Sequence, residues 1–452
     1  MMTKTPRNLA LTVLNGLSHK PFLSSTLLDD IFQQNPQLDE RDKAFFNHLV
    51  QGVLRWRLRL DWIIEQRSDF PLEKISPTVL NILRLALYQV YFLDKVPQSA
   101  AVNEAVKQSK THAPKHVVSF VNGILRRICR EKDDIPFPDQ KTDPVHYLST
   151  FYAYTPWVVE KWIEEWGTKF TEELLSAGNR IPGLTFRTNR LQIDRQSLVE
   201  ILKKGGITAY PTPYAPEGIR IEGLRGRPDE LASFKQGLFQ IQDEAAQITS
   251  HLLAPQPGEA ILDLCAGLGG KTTHLAELTE DKAHLLALDM SHQRLISLAE
   301  TCSRLNIQSV ASAVADASRS LSGFLRSKFD KILLDAPCSG WGVVSRHPDG
   351  KWSKNEEDIK RLSRIQGRIL DEAASLLRSG GRLLYVTCTL LKEENQEVVN
   401  AALGRHQDLS LLNLRAHAPE WCEDLIDEQG FFRTFPHAHN MDGFFAALFE
   451  KT

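Results

Sequence analysis

The chain has 452 residues, 42% of them hydrophobic and 24% charged, with a formal net charge of −2. That balance excludes a disordered polymer and provides for roughly two to four domains. No apolar run approaches the roughly 18 residues of a membrane span, and Met1-Met2-Thr3-Lys4-Thr5-Pro6-Arg7 leads into an amphipathic pattern rather than a secretory core, so a cytoplasmic, non-membrane protein is expected. The six cysteines, Cys129, Cys265, Cys302, Cys338, Cys388 and Cys422, show no C-x-x-C spacing. Neither a metal site nor a disulfide framework is expected, and free thiols fit a reducing compartment.

Residues 1–135 read as a helical domain. Phe45, Phe46, Leu49, Val50, Val53 and Leu54 recur at three and four, as do Val79, Ile82, Leu83, Ala86, Leu87, Val90 and Tyr91, and then Val117, Val121, Ile124, Leu125 and Ile128. Through residue 130 there are 18 Lys and Arg against 11 Asp and Glu, so the rest of the chain is acidic. A basic front suggests a polyanionic partner. Arg55, Arg57 and Arg59 read as the end of one helix and Arg126, Arg127 and Arg130 as the end of another, where cations also complement the helix dipole. The charged, proline-bearing stretch 131–145 reads as a linker.

A small α+β module is expected over 145–235. Its strands are Thr185–Asn189, Gly206–Tyr210 and Gly218–Ile221, with a helix over Arg195–Lys204. From 236 to 452 strands and helices alternate, which predicts a doubly wound α/β domain. Its strands fall at Ala260–Leu264, His284–Leu288, Lys331–Leu334 and Arg382–Val386, with helices over Gln293–Leu305 and Glu356–Leu377.

The strand Ala260–Leu264 runs into Cys265-Ala266-Gly267-Leu268-Gly269-Gly270-Lys271-Thr272. Glycines allow a sharp turn and close approach to a ligand, and a helix N-terminus offers free N–H donors. A phosphate-cradling loop would need glycine at Cys265, and a dinucleotide fingerprint would need glycine at Thr272. A ligand without a pyrophosphate, such as S-adenosylmethionine, suits the loop better. Asp289, ending the next strand, can accept from a ribose diol, and Asp316, after the run Val310–Ala315, can reach an adenine amino group. A turn or N-cap role is the bland reading of each carboxylate alone.

Two further loops leave strand ends, Asp335-Ala336-Pro337-Cys338-Ser339-Gly340 and Thr387-Cys388-Thr389. In an open parallel sheet the carboxyl ends of strands are where ligands sit, so the two thiols are expected at one site. With these residues, with Arg346-His347-Pro348-Asp349-Gly350-Lys351-Trp352, Gln242-Asp243-Glu244-Ala245-Ala246-Gln247 and Asp442-Gly443-Phe444-Phe445, the sequence resembles the RNA cytosine-C5 methyltransferases. Within them it is most similar to the bacterial 16S ribosomal RNA Sun/Fmu (RsmB) family. Val96-Pro97-Gln98-Ser99-Ala100-Ala101-Val102-Asn103-Glu104-Ala105-Val106 and Phe120-Val121-Asn122-Gly123-Ile124-Leu125-Arg126 resemble a NusB-like RNA-binding domain.

The resemblance implies three domains: a NusB-like helical domain (1–135), an RRM-like α+β module (145–235) and a Rossmann-like S-adenosylmethionine-dependent methyltransferase domain (236–452). It implies methyl transfer to C5 of a cytidine in 16S ribosomal RNA, free or in an assembling small subunit, by a monomer. Cys388 would be the nucleophile, Cys338 would assist proton removal and enzyme release, and Asp335 would hydrogen-bond the cytosine. Cofactor contacts would come from Cys265, Ala266, Gly267, Leu268, Gly269, Gly270, Lys271, Asp289, Asp316 and Asp335. RNA contacts would come from Arg55, Arg57, Arg59, Arg126, Arg127 and Arg346. Two alternatives stay open: the same chemistry on transfer RNA or 23S ribosomal RNA, and a non-catalytic NusB-like RNA-binding regulator. The family's loop reads C-A-A-P-G-G-K where this chain has Gly267-Leu268. Exchanging proline for freer backbone predicts a looser loop before cofactor binds. Thr389 stands where the family usually has serine and keeps the hydroxyl.

Overall fold

In the computed structural model, which describes residues 5–17, 25–224, 226–321, 323, 325 and 327–452, the chain divides into two units. One comprises residues 1–180 with 344–354, the other residues 181–343 with 355–452. The chain thus leaves the second unit shortly after Cys338 and returns to it at Asn355.

The first unit is helical: α1 (Pro6–Leu17), α2 (Ser25–Gln33), α3 (Glu40–Glu65), α4 (Pro77–Phe92), α5 (Gln98–His112), α6 (Lys115–Arg130), α7 (Pro144–Tyr152) and α8 (Pro156–Gly178). The stripes expected from the sequence form one core, with Phe46, Leu49, Val50, Ile82, Leu83, Leu87, Val121, Leu125 and Ile128 almost fully buried. Helices α3 and α4 cross where Gly52 leaves room for Tyr88; a Cβ at Gly52 would lie 1.9 Å from the ring. One expectation is corrected here. Helix α3 runs on to Glu65, so Arg55, Arg57 and Arg59 sit inside it and not at its C-terminus. Helices α7 and α8 were not expected, although Asp143-Pro144 and Thr155-Pro156 carry the cap-then-proline signal of a helix start. A break at Gly167, with φ +79, divides the pattern of α8.

The second unit holds two sheets. The smaller is antiparallel, from β1 (Leu184–Thr188), β2 (Thr208–Pro211), β3 (Gly218–Glu222) and β4 (Phe239–Ile241) in the order β2-β3-β1-β4. Helix α9 (Arg195–Lys204) buries Leu198, Val199 and Leu202 against Phe186, Ile219 and Phe239. A short helix, α10 (Ala232–Lys235), precedes β4.

The larger sheet comprises β5 (Ala260–Asp263), β6 (His284–Asp289), β7 (Val310–Val314), β8 (Phe329–Asp335), β9 (Leu377–Thr387), β10 (Leu409–Leu412), β11 (Phe432–Arg433) and β12 (Phe445–Lys451). The order is β10-β12-β9-β8-β5-β6-β7, with β11 beside β12. Strands β5 to β9 pair in parallel and β12 runs antiparallel to β9. Helices α11 (Glu244–Leu252), α12 (Gly270–Leu278), α13 (His292–Leu305), α14 (Glu356–Leu376), α15 (Gln396–Arg405) and α16 (Pro436–His439) complete the unit. Strand order reverses between β5 and β8, so the crevice outside their carboxyl ends is the place for a ligand. Every apolar run read as a strand is one; β4 and β10–β12 are additional.

Candidate active site

Strands β8 and β9 are in register with Asp335 opposite Val386, and Ala336 N–H donates to Val386 O at 2.8 Å. Both chains then turn off the sheet at the same level, which brings position 338 to position 388. The Sγ atoms of Cys338 and Cys388 are 3.2 Å apart, and Cys388 N–H donates to Cys338 Sγ at 3.3 Å. The Cys338 thiol is pushed well above its ordinary range by its hydrogen bond to Cys388, by burial, and by the negative charge that Cys388 and Glu394 bring.

Asp335, at the end of β8, accepts from Lys271 Nζ at 2.6 Å. Burial works against the Lys271 ammonium, but the charge and hydrogen bond of Asp335, with Cys388 and Asp263, outweigh it and hold the pKa above the ordinary lysine value. Behind this pair Asp263 is buried at the end of β5, its carboxyl pushed up to about 7 by burial, against the Thr272 hydroxyl that donates to it at 2.7 Å. Lysine, two carboxylates and two thiols thus share the crevice at the strand-order reversal.

The loop before α12 is held at both ends. Asp289 accepts from Gly267 N–H at 2.9 Å and from Ser291 N–H at 2.8 Å. Gly269, at φ +85, has Leu298 where a Cβ would stand, 2.1 Å away. Cys265 and Ala266 lie in the same turn; Ala266 N–H is bound to Leu288 O, and burial holds the Cys265 thiol well above its usual range. Asp316 accepts from the backbone and hydroxyl of Ser318 in its own turn. Leu268, Met290 and Val314 are 62%, 69% and 54% exposed, an apolar side chain left open beyond β5, beyond β6 and at the end of β7. Acidic Asp289 beside these surfaces makes an acceptor and contact set that fits a nucleoside.

Several residues that shape the site were not found from the sequence. Glu394, fully buried, accepts from Ser339 N–H and from the Ser339 hydroxyl. The neighbouring Asn395 is bonded to the Thr387 hydroxyl and to Thr389 O. Lys392-Glu393-Glu394 reads as a solvated charged turn, so composition gave no signal. Arg187, fully buried in β1, donates to both Glu277 oxygens, to Thr273 Oγ1, to Gln242 and to Gly270 O, the first residue of α12. Gly342 and Gly443 meet without room for a Cβ, 1.9 Å from Gly443 O, which seats the Asp442-Gly443-Phe444-Phe445 segment against the cysteine loops. Phe444 then lies 5.0 Å from Lys271 Nζ.

The basic residues divide. Arg55 is buried and donates to Ser345 O within the first unit, Arg57 packs over the Trp352 ring, and Arg59 lies 4.1 Å from the Phe151 ring centre while donating to Phe151 O. These three hold the helical unit together and offer no exposed stripe. Arg126 and Arg127 are exposed near the end of α6, where Arg127 also pairs with Glu131, and Arg346 is half-buried. Among the described residues, Glu217, His251 and His274 have ligand-type atoms within 4.8 Å of one another. Glu217 already accepts from Arg190 at 3.0 Å and bonds His251 at 2.9 Å, so its charge is balanced without an ion. No described helix is long and apolar enough to cross a membrane.

Three family models match: 16S rRNA methyltransferase RsmB/F over residues 250–450, the NusB family over 4–130, and a ferredoxin-like domain of RsmF/B-like methyltransferases over 154–225. The chain is 33% identical over 448 residues to the ribosomal RNA small subunit methyltransferase B of Proteus mirabilis (strain HI4320), covering 99% of this chain and 100% of that one. The crystal structure of PH0851 superposes with a TM-score of 0.80 at 26% identity, covering all of both chains. That of NSun6 from Pyrococcus horikoshii with SFG gives a TM-score of 0.57 at 25% identity over 65% of this chain and 97% of that one.

Proposed function

The chain belongs to the RsmB/F family of 16S rRNA methyltransferases, and from that premise we propose that it transfers a methyl group from S-adenosylmethionine to C5 of a cytidine in 16S ribosomal RNA through a covalent adduct at Cys388. The observation that carries this reading is the 3.2 Å approach of two thiols beside the Lys271–Asp335 pair. C5 of cytosine is too weak a nucleophile to take a methyl group unaided. Addition of the Cys388 thiolate to C6 makes C5 enamine-like. Asp335 accepts from the amino group and the protonated N3 of the base, and Lys271 holds that carboxylate in place at 2.6 Å. Once C5 carries the methyl group, its proton passes to solvent with the Cys338 thiol as relay, and the C5–H electron pair re-forms the C5–C6 double bond as the C6–S bond breaks and Cys388 leaves as thiolate.

S-adenosylmethionine supplies an electrophilic methyl group when bound. The loop 265–271 would hold it, with Asp289 on the ribose and Asp316 toward the adenine. Leu268, Met290 and Val314 offer the base apolar surface. The target cytidine must be unpaired or flipped to reach the crevice. Arg126, Arg127 and Arg346 are assigned to RNA phosphates, with the helical domain (1–135) as RNA holder and the module 145–235 joining it to the catalytic domain 236–452. The enzyme acts in the cytoplasm as a monomer.

Methylation of separate RNA pools with tritiated cofactor tests substrate and chemistry together. Cys388→Ala is expected to abolish transfer, and Cys338→Ala to accumulate an RNA-linked species that migrates slowly on a denaturing gel. Adduct that requires Cys338 and survives loss of Cys388 would reverse the two roles. Label entering transfer RNA or 23S RNA and not 16S RNA would remove the substrate assignment.

A further inference from the structure

Glu394 lies in the 3-10 turn Lys392–Glu394, beyond the Cys388 loop and away from the reacting sulfurs in sequence. Its carboxylate is fully buried, yet among the described residues no lysine, arginine or histidine pairs with it. Uncharged donors serve it instead: Ser339 N–H at 2.9 Å and Gln366 Nε2 at 3.0 Å on one oxygen, and the Ser339 hydroxyl on the other. The Thr389 hydroxyl is 2.9 Å from Ser339 Oγ and, since that oxygen gives its own proton to Glu394, acts as the donor there. Gln366 also donates to Pro337 O at 3.0 Å. Glu394 and its partners therefore grip the residues on both sides of Cys338, and Thr389 ties them to the residue after Cys388.

We propose that Glu394 is a positioning residue for the two-thiol site: its carboxylate clamps the Cys338 loop to the Cys388 loop and, having no cation partner, sets its charge on the Cys338 side of the pair, leaving Cys388 as the attacking sulfur. The inference rests on the assignment of Cys388 as nucleophile. Two thiols 3.2 Å apart cannot both ionise without strong repulsion, so something must decide which one does. The two faces of the pair differ in charge. Glu394 acts on Cys338 from one side, where it raises the cost of a second anion. Lys271 lies on the other, where Asp335 and Cys388 help to hold its ammonium. A thiol at position 338 is also the form that can give or relay a proton, which a thiolate fixed there could not do.

The test is the pH dependence of iodoacetamide alkylation at Cys338, read by peptide mass spectrometry in the Cys388→Ala protein with and without Glu394→Gln. Gln keeps the shape and removes the charge. Cys338 alkylation at pH 9 is expected to rise about threefold or more, with its midpoint moved to lower pH, the half unit or more that loss of a nearby charge is worth. An unchanged midpoint overturns the proposal, as does a rise by the same factor at every pH, which would signal only a loosened loop. In the enzyme with both cysteines, Glu394→Gln should lower kcat at least tenfold with KM for RNA little changed; a change confined to KM counts against it. Where Glu394→Gln fails to fold by its thermal melt, Ser339→Ala serves, because it cuts the clamp and leaves the charge. It should lower kcat while the Cys338 midpoint stays in place, and a normal kcat or a lowered midpoint overturns the proposal. Alkylation uses no RNA, so an unmoved midpoint, when the enzyme with both cysteines still forms the Cys388 adduct, refutes this inference alone, whereas absence of the adduct in the unmodified enzyme refutes the reading beneath it.

Discussion

Lys351 in the helical unit and Arg187 in the catalytic unit are both fully buried, but among the described residues only Arg187 is paired with an anion. Arg187 forms two bonds to Glu277, at 2.7 and 3.1 Å. Lys351 donates to Arg55 O and Ala153 O at 3.2 Å and to Asn179 Oδ1 at 2.7 Å, with its Nζ 3.6 Å from the Tyr154 ring centre. Removing a charge from water costs several kcal/mol, and an ion pair and a cage of dipoles offset it differently. The pair survives only while both members are present. The cage holds a cation weakly and serves an uncharged amine nearly as well, and burial accordingly drives the Lys351 pKa well below the ordinary lysine value.

The largest expected effect breaks the pair. Arg187→Met leaves Glu277 buried without its cation and removes the bond to Gly270 O at the start of α12, so urea denaturation of the full chain should show a loss of about 3–5 kcal/mol. Changing Glu277→Leu as well should recover most of it, because replacing a whole buried pair with apolar groups is often close to neutral. A double variant no more stable than Arg187→Met would show that the single loss is not one of charge. Lys351→Met, by contrast, strips a donor from carbonyl-type acceptors while relieving its own burial, and should cost about 1–2 kcal/mol. A loss as large as that of Arg187→Met would erase the distinction between pair and cage.

Much of this charge arrangement was invisible in the sequence, for a reason the arginines make plain. Arg55, Arg57 and Arg59 read as a basic helix end, and the resemblance made them RNA contacts. Their burial comes from Phe137, Phe151, Ser345 and Trp352, which lie from about eighty to nearly three hundred positions away and which no local period reveals. The same holds for Arg187, which sits in an ordinary strand and meets helix α12 only after folding. The strand–loop–helix at 260–272 and the paired cysteine loops were legible because glycine placement, strand runs and loop motifs are local signals. Glu394 was not, since its donors, Ser339 and Gln366, come from two separate segments.

The contrast sharpens under pH. With the Lys351 pKa lowered in the folded state, the unfolded chain binds a proton there that the native protein does not. Stability should therefore rise with pH up to the unfolded lysine pKa of about 10.4. Melting temperatures of the parent protein and Lys351→Met should therefore diverge between pH 7 and 9.5, the parent alone gaining from higher pH. Parallel curves would mean that Lys351 stays protonated in its cage.

Asp263 supplies the opposite sign and the smallest expected effect. Its carboxyl, pushed up to about 7 by burial at the end of β5, keeps its proton in the native protein where the unfolded chain, with an aspartate pKa of about 3.9, has lost it. The native state therefore binds the extra proton, and stability falls as pH rises from about 4 through about 7. Asp263→Asn cannot ionise and retains an acceptor for the Thr272 hydroxyl, so it should lose that slope and be the more stable protein at pH 8. Because Asp335 also raises the Asp263 pKa, Asp335→Asn should weaken the same slope without abolishing it. If Asp263→Asn instead keeps the parent's slope across this window, the carboxylate is ionised in the native site and Lys271, not burial, sets its charge.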